Sequence, residues 1–176
     1  MAETKRLVDA LVRSRRGSLA GGIAAGAALG GLALIAGLGY RVFGRETAAE
    51  AGRRALKAED VSDDEAALYL RAMVAATLAD GMIDAQERAR LDAAMDEADL
   101  DAAGRRDLER LIADPPAVDE IADRVSDPDA AARVYAAARL AIDPDTVQER
   151  TFLGQLADAL DLDADAVARV EAEAGA

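Results

Sequence analysis

The chain has 176 residues, no Cys, His or Trp, and a formal net charge of −13. That length supports one core of ordinary size rather than two large domains. The missing side chains exclude thiolate and imidazole chemistry, disulfide staples and the usual zinc sites.

Aromatics make up only 3% of the chain, and Ala, Leu, Asp, Glu and Arg dominate, a mixture that suits helices and not strands. The charge is divided unevenly along the sequence. Residues 1–57 carry 10 Lys/Arg and 4 Asp/Glu, whereas residues 58–176 carry 11 and 30. The acidic part repels phosphates, so nucleic acid is excluded as a partner.

Residues 1–16 read as a basic N-terminal segment. Residues 17–39 (GSLAGGIAAGAALGGLALIAGLG) hold no charge in 23 positions. At 1.5 Å per residue such a run reaches across a ~30 Å hydrocarbon core. Arg13, Arg15 and Arg16 on one side, and Tyr40, Arg41, Phe43 and Arg45 on the other, resemble interfacial anchors. The expectation is a single transmembrane or membrane-associated helix over 17–43, with the lipid bilayer as a partner. Gly22, Gly26 and Gly30 recur every fourth residue, a stripe that would let two such helices pack closely as a homo-oligomer. A Gly/Ala linker is the bland alternative. Ser14-Arg15-Arg16 loosely resembles a twin-arginine signal, although no A-x-A cleavage site follows. Five Lys/Arg on either side of the run leave its orientation open.

Residues 44–60 read as a helical connector, and residues 61–176 as an acidic helical domain. Ser62-Asp63-Asp64-Glu65 is a capping box. It opens a helix with Leu68, Met73, Val74 and Leu78 on its apolar face, stopped at Asp80-Gly81. Asp84-x-x-Glu87 opens a second helix to about Ala98, and Asp101 caps a third through Leu108, Leu111 and Ile112. Pro115-Pro116 breaks the chain before a short helix over Val118–Val125. Asp127-Pro128 starts the next, with Val134, Leu140 and Ile142 as its apolar face. Thr146-x-x-Glu149 caps a helix holding Phe152, Leu153, Leu156 and Leu160, and Asp163 caps a last one through Val167 and Val170. Residues 75–101 align with 137–163 at an offset of 62 without a gap: Gln86-Glu87-Arg88 falls on Gln148-Glu149-Arg150, and Leu100-Asp101 on Leu162-Asp163. Two such helical hairpins packed face to face would share one core.

LYLRAMVAATLADGMIDAQERARL (68–91) and VYAAARLAIDPDTVQERTFLGQLADALDL (134–162) resemble the C-terminal domain of the bacterial family known as domain of unknown function 533, within the TerB-like superfamily named from tellurite resistance proteins. The resemblance implies an all-α, TerB-like bundle of about six to seven helices with an internal two-fold repeat. It also implies an upstream Gly-rich membrane segment, localisation at the bacterial inner membrane and no established catalysis. TerB-like domains bind divalent cations through acidic residues near these loops. Carried onto this chain, the resemblance selects Asp80, Asp84 and Glu87 in the first half and Asp143, Asp145 and Glu149 in the second. The second loop departs from the pattern, with Ile142 and Asp143 where Asp80 and Gly81 would stand.

Such hard oxygen ligands favour Ca2+ or Mg2+. The same residues also serve as helix caps, and acids at helix N-termini are stabilising with no metal present. Both readings stand at this level. An enzyme would have to work with carboxylates alone, as glycosidases do, with almost no aromatics to line a cleft. The leading expectation is a membrane-anchored, non-enzymatic interaction module, cation-responsive, docking unidentified protein partners in an envelope or metal-stress setting. A Ca2+ or Mg2+ sensor or buffer is the alternative, and a cryptic carboxylate hydrolase the second.

Overall fold

The computed structural model describes residues 2–18, 32–36, 61–83 and 85–174, and every regular element among them is helical. In chain order these are α1 (Ala2–Ser18), a helical turn at 32–36, α2 (Asp63–Thr77), α3 (Ala85–Glu97) and α4 (Ala102–Ala113). They continue with α5 (Val118–Ala122), α6 (Pro128–Ala141), α7 (Val147–Ala159) and α8 (Ala164–Ala174).

Local chemistry sets most of these boundaries. Ser62 Oγ accepts from the Glu65 amide at 3.1 Å while Glu65 Oε2 accepts from the Ser62 amide at 2.9 Å, closing the capping box of α2. Thr146 and Glu149 repeat that arrangement at α7, with amide bonds of 3.1 Å in each direction. Asp101 caps α4, Asp127 caps α6 with Pro128 in its first turn, and Asp163 accepts from the Ala166 amide at the start of α8. α2 ends at Thr77, earlier than the Asp80-Gly81 stop, and turns carry the chain on to Gly81 at φ +83°. That left-handed φ suits glycine, which has no Cβ to clash. α5 stops at Ala122: the Asp123 amide still reaches back four residues to the Asp119 carbonyl, but those of Arg124 and Val125 reach back only three, to Ile121 and Ala122.

The internal repeat is visible in the backbone. α3 and α7 occupy the same span at an offset of 62. Each ends in an aspartate, Asp99 or Asp161, held at φ +52°. The following amide reaches back five residues, Leu100 to the Met95 carbonyl (3.2 Å) and Leu162 to that of Ala157 (3.0 Å), the six-to-one bond of a Schellman turn. Asp101 and Asp163 then cap α4 and α8, so the repeat extends to three helices, α2–α3–α4 and α6–α7–α8.

The most extensive packing is between α2 and α6, the first helix of each repeat. Their contact faces are rich in buried alanine (Ala66, Ala72, Ala76, Ala132, Ala136), which lets the two axes approach closely. Larger polar side chains fasten α6 to two of its neighbours. Arg133 donates from Nε to the Tyr69 hydroxyl (3.0 Å) and from Nη2 to Glu65 (3.2 Å), tying α6 to α2. Glu171 of α8 accepts from Arg139 Nε (2.6 Å) and from the Tyr135 hydroxyl (2.9 Å), tying α6 to α8. No described buried side-chain polar atom is left without a partner, as interiors require.

α1 belongs to this same body. Leu7, Val8, Leu11 and Val12 share one face of the helix; Leu7, Val8 and Val12 are buried and Leu11 half-buried, and α1 packs on α2 and α3. The far end of the uncharged run returns to it. The Leu32 amide donates to Asp9 Oδ1 at 2.7 Å, and Leu32, Ile35 and Ala36 are buried in the core that contains Val8 and Val12.

This corrects the expectation of a transmembrane helix over 17–43 and, with it, single-pass localisation at the inner membrane. No described helix is long and apolar enough to cross a membrane. A straight helix continuing from α1 would carry Leu32 ~34 Å from Asp9 at 1.5 Å per residue, whereas the two residues are hydrogen-bonded. Leu32, Ile35 and Ala36 bury their apolar surface against protein. The stripe of Gly22, Gly26 and Gly30 lies outside the described residues.

Candidate functional site

The sequence singles out two acidic loops, at 80–87 and 143–149. In the first, Asp80 Oδ1 accepts from the Met82 amide at 3.0 Å, an Asx turn leading out of Gly81. Asp84 and the side chain of Glu87 lie outside the described residues. In the second, the Asp143 carbonyl accepts from the Asp145 amide at 2.6 Å, and Arg150 Nη1 donates to the carbonyls of Pro144 (3.0 Å) and Asp145 (2.7 Å). Glu149 Oε2 accepts from both the amide and the hydroxyl of Thr146, at 3.1 and 2.8 Å. Among the described residues no three carboxylates are grouped so as to hold a metal ion. The described members of these loops make turns and caps.

A site the sequence reading missed lies between α1, α2 and α4. It is a groove of about 880 Å³. Its apolar lining comes from Leu7 of α1, Leu70 of α2, Leu100 before α4, and Leu108 and Leu111 of α4. Its rim carries Glu3, Arg71, Asp101, Asp107, Arg110 and Asp114. α4 packs sparingly on α2, so the space between them stays open. At one end Glu3 Oε1 accepts from the Asp101 amide (3.3 Å), which brings the start of α1 against the start of α4. A Cβ at Gly104 would stand a tight 3.3 Å from Leu100 Cγ and an ordinary 3.6 Å from Glu3 Oε2. Amide bonds from Gly104 and Ala103 hold the Asp101 carboxyl below its ordinary pKa.

Along the rim Asp107 pairs with Arg110 at 2.6 Å, and the positive charge of Arg106 acts on the Asp101 carboxyl. Two legible signals pointed here: the amphipathic spacing of Leu7, Val8, Leu11 and Val12 inside the basic segment, and that of Leu108, Leu111 and Ile112. Their meeting could not be read, since Glu3 and Asp101 are 98 residues apart.

Two smaller features stand elsewhere. Among the described residues Met82 and Val147 are the exposed large hydrophobic ones, at 72% and 66%, and Val147 edges a shallow depression with Ala79 and Phe152. A cavity of about 40 Å³ sits where α1, α2, α3 and α6 converge, lined by Leu11, Met73, Val74 and Leu91 with Ser14, Thr77 and Arg90. The hydroxyls of Ser14 and Thr77 are both turned back onto carbonyls of their own helices.

No curated protein and no solved structure matches the chain. A family model described as "Protein of unknown function (DUF533)" matches residues 4–174, which takes in α1, the uncharged run and both helical repeats. The chain therefore belongs to the DUF533 family.

Proposed function

We propose that this chain is a non-enzymatic helical interaction module that receives a protein partner in the groove between α1, α2 and α4. The observation that carries this reading is the groove itself, lined by the half-buried Leu70 and Leu111 with the buried Leu7, Leu100 and Leu108, and bordered by charge. An apolar floor with a polar rim is the usual anatomy of a protein-binding surface. The loop carboxylates support it indirectly. Glu149 is engaged in a cap and Asp80 in a turn, positions that leave them poorly placed as a catalytic pair.

The test places a photo-crosslinking amino acid at Ala103, an exposed groove position, or at Ala168, an exposed position on α8. Both variants are irradiated as the full chain in the cells that make it. A discrete protein adduct from Ala103 and none from Ala168 is the expected result. The same adducts from both positions, or none from Ala103, would refute the reading.

A further inference from the structure

We infer that α4 is a hinged flap, held down by ion pairs to α3, that swings open without unfolding the rest of the protein when those pairs are lost. The inference does not depend on the partner reading above, although α4 forms a wall of the same groove. The internal repeat supplies the comparison. α4 and α8 stand at equivalent positions, yet α8 lies close against α6, whereas α4 makes sparse backbone contact with α2. Among the described residues α8 buries Ala166 and Val170, and α4 only Leu108. The glutamate they share is used differently in each. Glu171 turns inward to α6, accepting from the Tyr135 hydroxyl and from Arg139, a side chain 12% exposed. Glu109, its equivalent at the offset of 62, turns sideways to α3 and accepts from both terminal nitrogens of Arg88, at 3.2 and 2.5 Å.

Arg105 adds a second pair across the same two helices, from Nη2 to Asp96 at 2.7 Å. All four of these side chains are at least 40% exposed, so salt screens them more than it screens the covered pair of Arg139 and Glu171. Beneath the ion pairs α4 is held by Leu108, in one cluster with Leu7, Val74 and Met95. Pro115 and Pro116, which have no N–H to tie the chain, follow its last turn. Few close contacts and exposed ties put a helix at the low end of local stability. Opening uncovers Leu7, Val74 and Leu108, so the two ion pairs govern access to this apolar surface.

The test is amide hydrogen exchange of the full chain, read at residues 106–112 of α4 and 168–174 of α8, in low salt and in about 0.5 M NaCl. Asp96→Asn with Glu109→Gln neutralises the acid of both pairs and keeps side-chain size. Asp123→Asn with Asp158→Asn removes the same two charges at exposed acids away from α4. The expected result is faster exchange in α4 than in α8 at low salt. Salt and the Asp96/Glu109 substitutions each speed α4 further, about two- to fivefold for each ion pair lost, while α8 does not speed up. The Asp123/Asp158 variant exchanges like the wild type. Equal exchange in α4 and α8 at low salt would show one cooperative unit and overturn the inference. An α4 indifferent to salt or to the loss of its pairs, or one that speeds up only in step with α8, would overturn it too. If the Asp123/Asp158 variant speeds α4 as much, the effect belongs to net charge and the inference falls.

Discussion

Ile35→Ala measures whether the end of the uncharged run is part of the protein core. Ile35 is 0% exposed, in one cluster with Val8 (0%) and Val12 (2%). The substitution removes three carbons, worth about 2.4 kcal/mol at ~0.8 kcal/mol per buried methylene. The space left behind raises the cost to roughly 3–4 kcal/mol. In a protein of this size each kcal/mol moves the melting temperature by about 2–4 °C, so a fall of roughly 6–16 °C is expected. Ile35→Val should cost about 1 kcal/mol. Val147→Ala, at a site 66% exposed, should stay within about 0.5 kcal/mol. The assay is thermal unfolding of the full chain followed by its helical circular dichroism. If Ile35→Ala melts with the wild type, residues 32–36 lie outside the core and the correction of the membrane reading fails.

Asp161 stands at φ +52° just past the end of α7, where a carboxylate opposes the helix dipole. Asp161→Asn tolerates that φ and removes the charge, so it should raise stability by about 0.5 kcal/mol; a lowered melting temperature would contradict this. The Tyr69 phenol is pushed up to about 12, first by burial and also by Glu65, with Arg133 pulling the other way. Folding therefore favours the protonated phenol. Its contribution is intact below pH ~10 and is lost as pH rises towards ~12, on the order of 2 kcal/mol. Alkaline unfolding of the wild type should show this loss, and Tyr69→Phe should flatten it; an unchanged alkaline limb in Tyr69→Phe would contradict the reasoning.

What could be read from the sequence was local. Ser62, Asp101, Asp127, Thr146 and Asp163 announce helix starts because a cap needs only its own side chain and the next three amides. The repeat was legible for the same reason, whereas the paired aspartates at positive φ emerged only in the structure. The fate of residues 17–39 was not legible, because a membrane and a protein core make the same demand for uncharged residues. What separates the two is a long-range bond, from the Leu32 amide to Asp9, and no periodicity reports it. The groove was hidden likewise, since it exists only where α1 meets α4. In the acidic loops, a cap and a cation ligand call for the same residue at the same spacing. Glu149 makes its cap, with the Thr146 hydroxyl donating to it, and a cap is common to both readings.

The fold requires α1 and the end of the uncharged run to pack together, and α1 supplies one wall of the groove. The chain has no cysteine, so Arg6→Cys with Ala33→Cys gives a unique pair of spin labels, one on α1 and one beside Leu32. Arg6 lies one turn from Asp9, and Asp9 holds the Leu32 amide, which places the labels about 15–20 Å apart on backbone dimensions. A straight helix from α1 through the run would set them ~40 Å apart. A narrow distribution at the short distance is the predicted result, and a population at the long one would contradict the fold and the groove built on it.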